Sequence, residues 1–442
     1  MTQSQPHAHI AVVGGGIAGL TAAVLAAREG ARVTVFERIS QTGGRGRTRE
    51  RDGFRFNMGA HALYQGGPAQ SVLSELGVAP KGSRPPLGGA LGLADGRLDV
   101  LPGGPLSLMT TALFTAREKA AFGAALARLP RIDPAPWQRR TLREFVDETF
   151  RTPRLRATFE ALVRLSSYAH APEQMSAGTA ISQLQLGSAD GVLYLDGGWQ
   201  RMIGDIETVA REASVEIRCG ARVRAVERLE GERVRHRVVC RDAEPVAADA
   251  VILAMGPSEA SALVDGGSDP FLAEQAARAL PVRAACLDVG LDRLPDAKRT
   301  FALGIDVPTY LSLHSAAARE LAPSGGALFH AARYLAPDEK PDRGEIEALL
   351  ESQLDLLQPG WRDHVVEKTL LLDVPAAHVL PTAEMGGLPG RPRVDALAAR
   401  RPGLMLCGDW IGPEGWLADA SFASGRDAGR AAAAFARSVA HG

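Results

Sequence analysis

The sequence predicts an α/β protein, a parallel-sheet nucleotide-binding domain interrupted by inserted α+β segments. Three observations carry that prediction. A strand–turn–helix–strand unit on a glycine-rich turn opens the chain; a strand ending in Gly408-Asp409 and a long alanine-rich helix close it; the residues between mix helical and strand-like runs without a repeat. The chain has 442 residues, 45% hydrophobic and 23% charged, an ordinary globular balance. Its 50 Lys+Arg against 51 Asp+Glu leave a formal charge of −1, so no nucleic-acid partner is expected. The 48 glycines and 28 prolines exceed common usage and point to tight turns and close backbone approaches.

His9 to Val13 is a short apolar run suited to a buried parallel strand. It enters Gly14-Gly15-Gly16-Ile17-Ala18-Gly19, a G-x-G-x-x-G turn, and Leu20, Ala23, Val24 and Ala27 then recur at helical spacing up to Arg28. Gly30 marks the helix end, and Arg32 to Phe36 form a second strand closed by Glu37. Gly14 permits the turn, Gly16 lets the backbone approach a pyrophosphate, and Gly19 lets helix and strand pack closely. Phosphates would sit at the helix N-terminus, where free N–H groups and the dipole favour negative charge. Glu37, 18 residues beyond Gly19, suits an adenosine ribose and would repel a 2′-phosphate. Thr42-Gly43-Gly44-Arg45-Gly46-Arg47-Thr48 follows, where two glycines and an arginine suit a loop wrapping the same pyrophosphate.

Gly14 to Gly19, Glu37 and Gly43-Gly44-Arg45 together resemble the flavin-containing amine oxidase and phytoene desaturase superfamily. The resemblance implies FAD as cofactor and a Rossmann-like, GR2-type FAD-binding domain. Gly14, Gly16, Ile17, Ala18 and Gly19 would then hold the pyrophosphate, Glu37 and neighbouring Arg38 the adenosine side, and Gly44 and Arg45 the phosphates from the other side. Gly53 to His61 resembles the segment that passes beneath the flavin, which assigns Met58, Gly59 and Ala60 to the ring; relatives often have aspartate where this chain has Asn57. Val215 to Val223 resembles the strand whose last valine backbone, Val223, meets the adenine, and Ala250 to Pro257 the strand returning to the cofactor domain. Gly403 to Trp410 matches the second flavin clamp, with Gly408 and Asp409 on the ribityl chain or phosphates. Trp416, Leu417 and Ala418 would meet the flavin N1–C2 carbonyl edge at the start of a helix from about Ala418 to Val439.

The resemblance implies a discontinuous FAD-binding domain of residues 1–95, 190–275 and 395–442, with 96–189 and 276–394 forming a substrate domain. Helices are expected at Glu118 to Arg128, Leu142 to Leu165 and Glu345 to Leu357, and strands at Ala284 to Leu291, Ala327 to Tyr334 and Val365 to Val374. Pro105 to Leu129 reads as a helix pair in the core or lining a substrate tunnel, or as a peripheral membrane contact.

The implied chemistry is hydride transfer from a substrate C–H to flavin N5. Amine oxidases of the superfamily place a lysine near N5; the matching stretch here, Pro281 to Leu287, has none. A dehydrogenase or desaturase acting on an apolar small molecule is therefore expected, with an oxygen-using amine oxidase or a redox-neutral isomerase as alternatives. His61 is the candidate proton donor or hydrogen-bonding group, and Trp416 the candidate aromatic against substrate, with Trp410, Tyr310 and Phe329 as further aromatic candidates. Cys219, Cys240, Cys286 and Cys407 form no CxxC pair and the ten histidines show no zinc spacing, so no metal is expected. A polar Met1 to His9 and no run of about 18 apolar residues make a cytoplasmic location the expectation. Nothing in the sequence indicates an oligomeric state.

Overall fold

The computed structural model describes residues 8–86, 88–229 and 235–441. The polar Met1 to His7 stretch lies outside the described residues. A five-stranded parallel sheet runs in the order Glu216–Cys219, Arg32–Glu37, His9–Val13, Ala250–Ala254, Leu404–Cys407. These are the apolar runs of the sequence, buried because helices cover the sheet. All five strands point the same way, so the turns after Val13, Glu37, Cys219, Ala254 and Cys407 gather at one edge.

Helix Ile17–Arg28 forms where its spacing predicts, but it is buried on more than one stripe. It packs on the sheet beside helix Ala418–His441, whose Gly425 and Gly429 bring the two backbones together. A Cβ at either would come within 2.5 Å of Ala18 O or Ala22 O. The stretch Val215 to Val223 is two strands: Glu216–Cys219 ends at Gly220, whose φ of +73° turns the chain, and Val223–Leu229 begins a separate antiparallel sheet with Arg235–Cys240 and Val246–Ala248.

A seven-stranded sheet is ordered Val365–Ala377, Val282–Leu291, Ala327–Leu335, Thr309–Leu313, Phe301–Gly304, Leu91–Ala94, Arg97–Val100. Leu91–Ala94 lies inside the 1–95 segment yet pairs in parallel with Phe301–Gly304, so this sheet reaches into that segment. Strand alternation divides the sheet's faces. Ala285, Leu287, Val289 and Leu291 pack with Leu350, Leu354 and Leu357 of helix Arg343–Leu357; Ala284 and Cys286 face the other way, with Tyr310, Ala332 and Tyr334. The helix expected over Leu142 to Leu165 is broken into Leu142–Thr149 and Pro153–Ser167, because Pro153 has no N–H for the preceding turn and starts a new helix. Pro105 to Leu129 is a helix pair, Pro105–Thr110 and Ala116–Arg128. Phe114, Phe122 and Leu129 are buried, while Leu106 and Met109 are each 75% exposed.

Gly14 has φ +111°, and a Cβ there would approach Ala254 O at 2.4 Å; a Cβ on Gly19 would approach Gly14 O at 1.9 Å. Gly16 differs: its φ is −77° and a Cβ would meet no protein atom within 4 Å. Gly19→Ala is therefore expected to cost about 2–3 kcal/mol in urea unfolding through overpacking, whereas Gly16→Ala stays within about 0.5 kcal/mol of wild type.

Candidate functional site

The edge where the parallel strands end opens into a cavity of about 690 Å³. The two glycine segments run side by side along it. Gly43 N–H donates to Gly15 O at 2.8 Å, and Gly16 and Gly43 form a parallel bridge. Glu37 fixes the turn: its Oε2 accepts from Gly15 N–H at 2.8 Å and its Oε1 from Ile39 N–H at 3.1 Å. Gly14, Gly16, Ile17, Ala18, Glu37, Arg38, Gly44, Arg45, Met58, Gly59, Ala60, His61, Val223, Gly408, Leu417 and Ala418 all line this one cavity, although they come from opposite ends of the chain. Gly19 does not; it works behind the turn, in the helix–strand contact.

Asp409 corrects the sequence reading. Its side chain is 1% exposed and does not line the cavity. Oδ2 accepts from Arg45 Nη1 at 2.9 Å and from His378 N–H at 2.9 Å, and Oδ1 meets His378 Nδ1 at 2.7 Å. Burial alone would raise its pKa, but Arg45 and His378 outweigh that and hold the carboxyl well below the usual range. Asp409 is thus the anchor of Arg45 and His378, both of which do line the cavity. Arg45 Nη1 also donates to Ala376 O at 3.0 Å. Behind them, buried Arg391 donates to Asp409 O at 2.8 Å and to Gly415 O, holding the loop between Gly408 and the last helix.

Trp416 is a second correction. It is 0% exposed and packs in the cluster of Phe114, Phe145, Phe159 and Ile181, away from the cavity. Trp410, Tyr310 and Phe329 are buried as well and do not line it. The cavity's aromatic side chains are Phe36, Tyr168 and Trp199. Leu417, with φ +56°, turns the chain so that the N-terminus of helix Ala418–His441 meets the cavity; the N–H groups of that first turn have no helical partners.

His61 Nδ1 lies 2.8 Å from Gly59 O, which leaves Nε2 as the free acceptor when the ring is neutral, and its ring stacks at a tilt on Trp199 at 5.1 Å. His61 lines the cavity, and burial lowers its pKa more than the Gly59 carbonyl raises it. Beyond His61 the wall is mostly apolar: Ala60, Ala62, Tyr168, Ala284, Cys286, Leu371 and Val374, with Asp373 among them. Asp373 is paired with Arg283, which does not line the cavity and also donates to the carbonyls of Pro337 and Glu339. Burial pushes the Cys286 thiol up to about 12, so it is a neutral wall residue. Asn57 accepts from Thr48 Oγ1 at 2.7 Å and Trp199 N–H at 3.2 Å, a structural tie. His378 and Tyr168 carried no sequence signal; Ala284 and Cys286 were legible as alternate residues of a strand already singled out.

Several features fit a bound dinucleotide. The space a Cβ at Gly16 would fill is open, a guanidinium stands beside it, and a helix N-terminus faces the cavity. The family described as flavin containing amine oxidoreductase matches residues 17–433. A phytoene dehydrogenase of Streptomyces griseus is 28% identical over 288 residues, 57% of this chain and 55% of that protein. A coproporphyrinogen III oxidase of Propionibacterium freudenreichii is 36% identical over 110 residues, 24% of this chain and 21% of that protein. The chain spans about half or less of the length of these relatives. An oxidoreductase of Methanosarcina mazei shares the fold, with a TM-score of 0.73 at 19% identity, covering 94% of this chain and 98% of that one.

Asp419, in the first turn of the last helix, accepts from Ala69 N–H at 2.8 Å through Oδ1, while Oδ2 is buried with no partner among the described residues. Burial raises its pKa to about 6, against the lowering by the Ala69 N–H. Unfolded aspartate titrates near ~3.9, so between about pH 4 and pH 6 the folded chain binds more protons and stability falls as pH rises. Asp419→Asn is expected to stabilise the protein at pH 7 by on the order of 2 kcal/mol and to have little effect at pH 4, read as Tm differences across pH.

Proposed function

The chain belongs to the flavin-containing amine oxidoreductase family, and from that premise we propose that it is an FAD-dependent dehydrogenase or desaturase acting on an apolar small molecule. The observation that carries this reading is the cavity's division into a glycine-lined polar end and an apolar end walled by the seven-stranded sheet. When bound, the flavin supplies a two-electron acceptor for a hydride leaving a substrate carbon.

The chain's residues do the rest. The backbone of Gly14 to Ala18 and the N-terminus of helix Ile17–Arg28 would receive the pyrophosphate, and Arg45, held by Asp409, would balance its charge. Glu37 and Arg38 would hold the adenosine ribose and the Val223 backbone the adenine; Met58, Gly59 and Ala60 would hold the flavin, and the free N–H groups at Leu417 and Ala418 would favour negative charge on it. Ala284, Cys286, Leu371 and Val374 exclude water from the reacting carbon, and His61 Nε2 accepts or holds a proton there.

The apolar wall supports a hydrocarbon-like substrate over an amine. The lining side chains beyond His61 bring no aromatic pair to cage an ammonium, and among the described residues no lysine lines the cavity. The exposed Leu106 and Met109 support peripheral contact with a membrane surface as a source of such a substrate.

The test is an anaerobic screen of the purified flavoprotein, following loss of the visible flavin band. An isoprenoid hydrocarbon in micelles is expected to bleach it and putrescine is not; bleaching by the amine with peroxide formed in air overturns the proposal. Leu371→Asp, at a half-buried wall position, is expected to lower kcat/KM for the bleaching hydrocarbon at least tenfold, about 1.4 kcal/mol, with flavin content unchanged.

A further inference from the structure

Two residues past Cys286 on the same strand face, the wall of the seven-stranded sheet stops being apolar. Asp288 stands opposite His330 on the next strand, and His330 stands opposite Ser312 on the one after. His330 Nδ1 is hydrogen-bonded to Asp288 Oδ1, and both side chains are buried. His314 lies edge-on to His330, with ring centres 4.3 Å apart, and stacks flat on Tyr194 at 3.8 Å. Its Nε2 is 2.8 Å from Tyr310 OH, which is 2.8 Å from Tyr194 OH, which in turn is 3.2 Å from Ser312 Oγ.

This polar row is incomplete in one place. Asp288 Oδ2, His330 Nε2 and His314 Nδ1 are buried without a protein partner among the described residues. Leaving one buried polar atom unsatisfied costs about 1–3 kcal/mol, and here three fall on neighbouring side chains. An acceptor oxygen with two ring nitrogens, each donor or acceptor by tautomer, matches what an enclosed water needs: two to four polar partners.

We propose that Asp288, His330 and His314 enclose a water molecule and with it form a buried polar site whose charge is coupled to His61 in the cavity. Ala60 and Ala62, on either side of His61, pack in the clusters that hold Tyr310 and Tyr194, so His61 stands beside the row, with the Trp199 ring against it. The charges of His330 and Arg45 disfavour a proton on His61 and that of Asp288 favours one. Burial keeps His314 neutral, and Tyr310 and Tyr194 stay protonated for the same reason. Among the described residues no hydrogen bond joins His61 to the row, so the coupling is electrostatic: the Asp288 charge favours a proton on His61 and the His330 charge opposes it, with no proton or electron passing between them. The functional sense of the site rests on the proposal that substrate reacts beside His61; its existence does not.

Two measurements test it without turnover. A crystal structure of the wild-type protein at high resolution is expected to show one water within hydrogen-bond distance of at least two of the three atoms. An NMR titration of the His61 ring is expected to move up by about 0.5 pH unit or more in His330→Gln, which removes the ring and exposes the Asp288 charge, and to return towards wild type in His330→Gln/Asp288→Asn. No water at any of the three atoms overturns the proposal, as does a His61 midpoint unmoved by His330→Gln. If the single variant fails to fold, the water decides alone. A hydrocarbon oxidised by a protein lacking the water would sink the water site and leave the proposed function standing.

Discussion

One buried carboxylate holds the cavity together. Asp409 has spent both oxygens on Arg45 and His378, and in doing so it joins the loop after the second strand, the end of strand Val365–Ala377 and the strand that precedes the last helix. These segments are more than 300 residues apart at their extremes. A carboxylate buried to this degree is tolerable only with charged or hydrogen-bonding partners, so each partner is as necessary to Asp409 as Asp409 is to it. Arg45 presents its charge at the cavity because Asp409 fixes one end of the guanidinium. Gly408, at φ +142°, and Arg391, gripping the backbone on the far side, set where that carboxylate sits.

Around this knot the backbone closes by contact between small residues. Gly14 and Gly19 bring turn, strand and helix within van der Waals reach, and Gly425 and Gly429 do the same for the two helices that cover the sheet. The result is a polar cavity end made mostly of main chain, whose positions depend little on side-chain rotamers. The other end is made of side chains from one face of a sheet, held from behind by helix Arg343–Leu357. A rigid main-chain cradle paired with a side-chain wall lets the wall vary while the cradle is kept.

The sequence made the cradle legible because its constraints are local: glycine spacing, a terminal acid and a G-G-R loop each act within a few residues. It did not make the direction of side chains legible. Asp409 and Trp416 stand in the expected segments, yet one anchors its neighbours and the other, between the positive φ angles of Gly415 and Leu417, fills the helical core. His378 and Tyr168 reach the cavity through long-range packing that no nearby pattern encodes. The row from Asp288 to Tyr194 depends on strand register across four elements, and register follows from the whole sheet.

That register also explains why apolar and polar chemistry can coexist on one wall. Successive residues on a strand face lie about 6.6–6.8 Å apart, so Cys286 can touch substrate while Asp288 stands one step farther along. His61 sits at the boundary, its Nδ1 committed to Gly59 and its Nε2 left to the cavity. On the proposed function a hydrocarbon chain would lie against Ala284 and Cys286, with Asp288 and His330 buried one step behind that surface. Placing the charged pair beside the hydrocarbon instead would bury it against a surface that offers no hydrogen bond, at a cost of several kcal/mol. The strand's two-residue step supplies the separation.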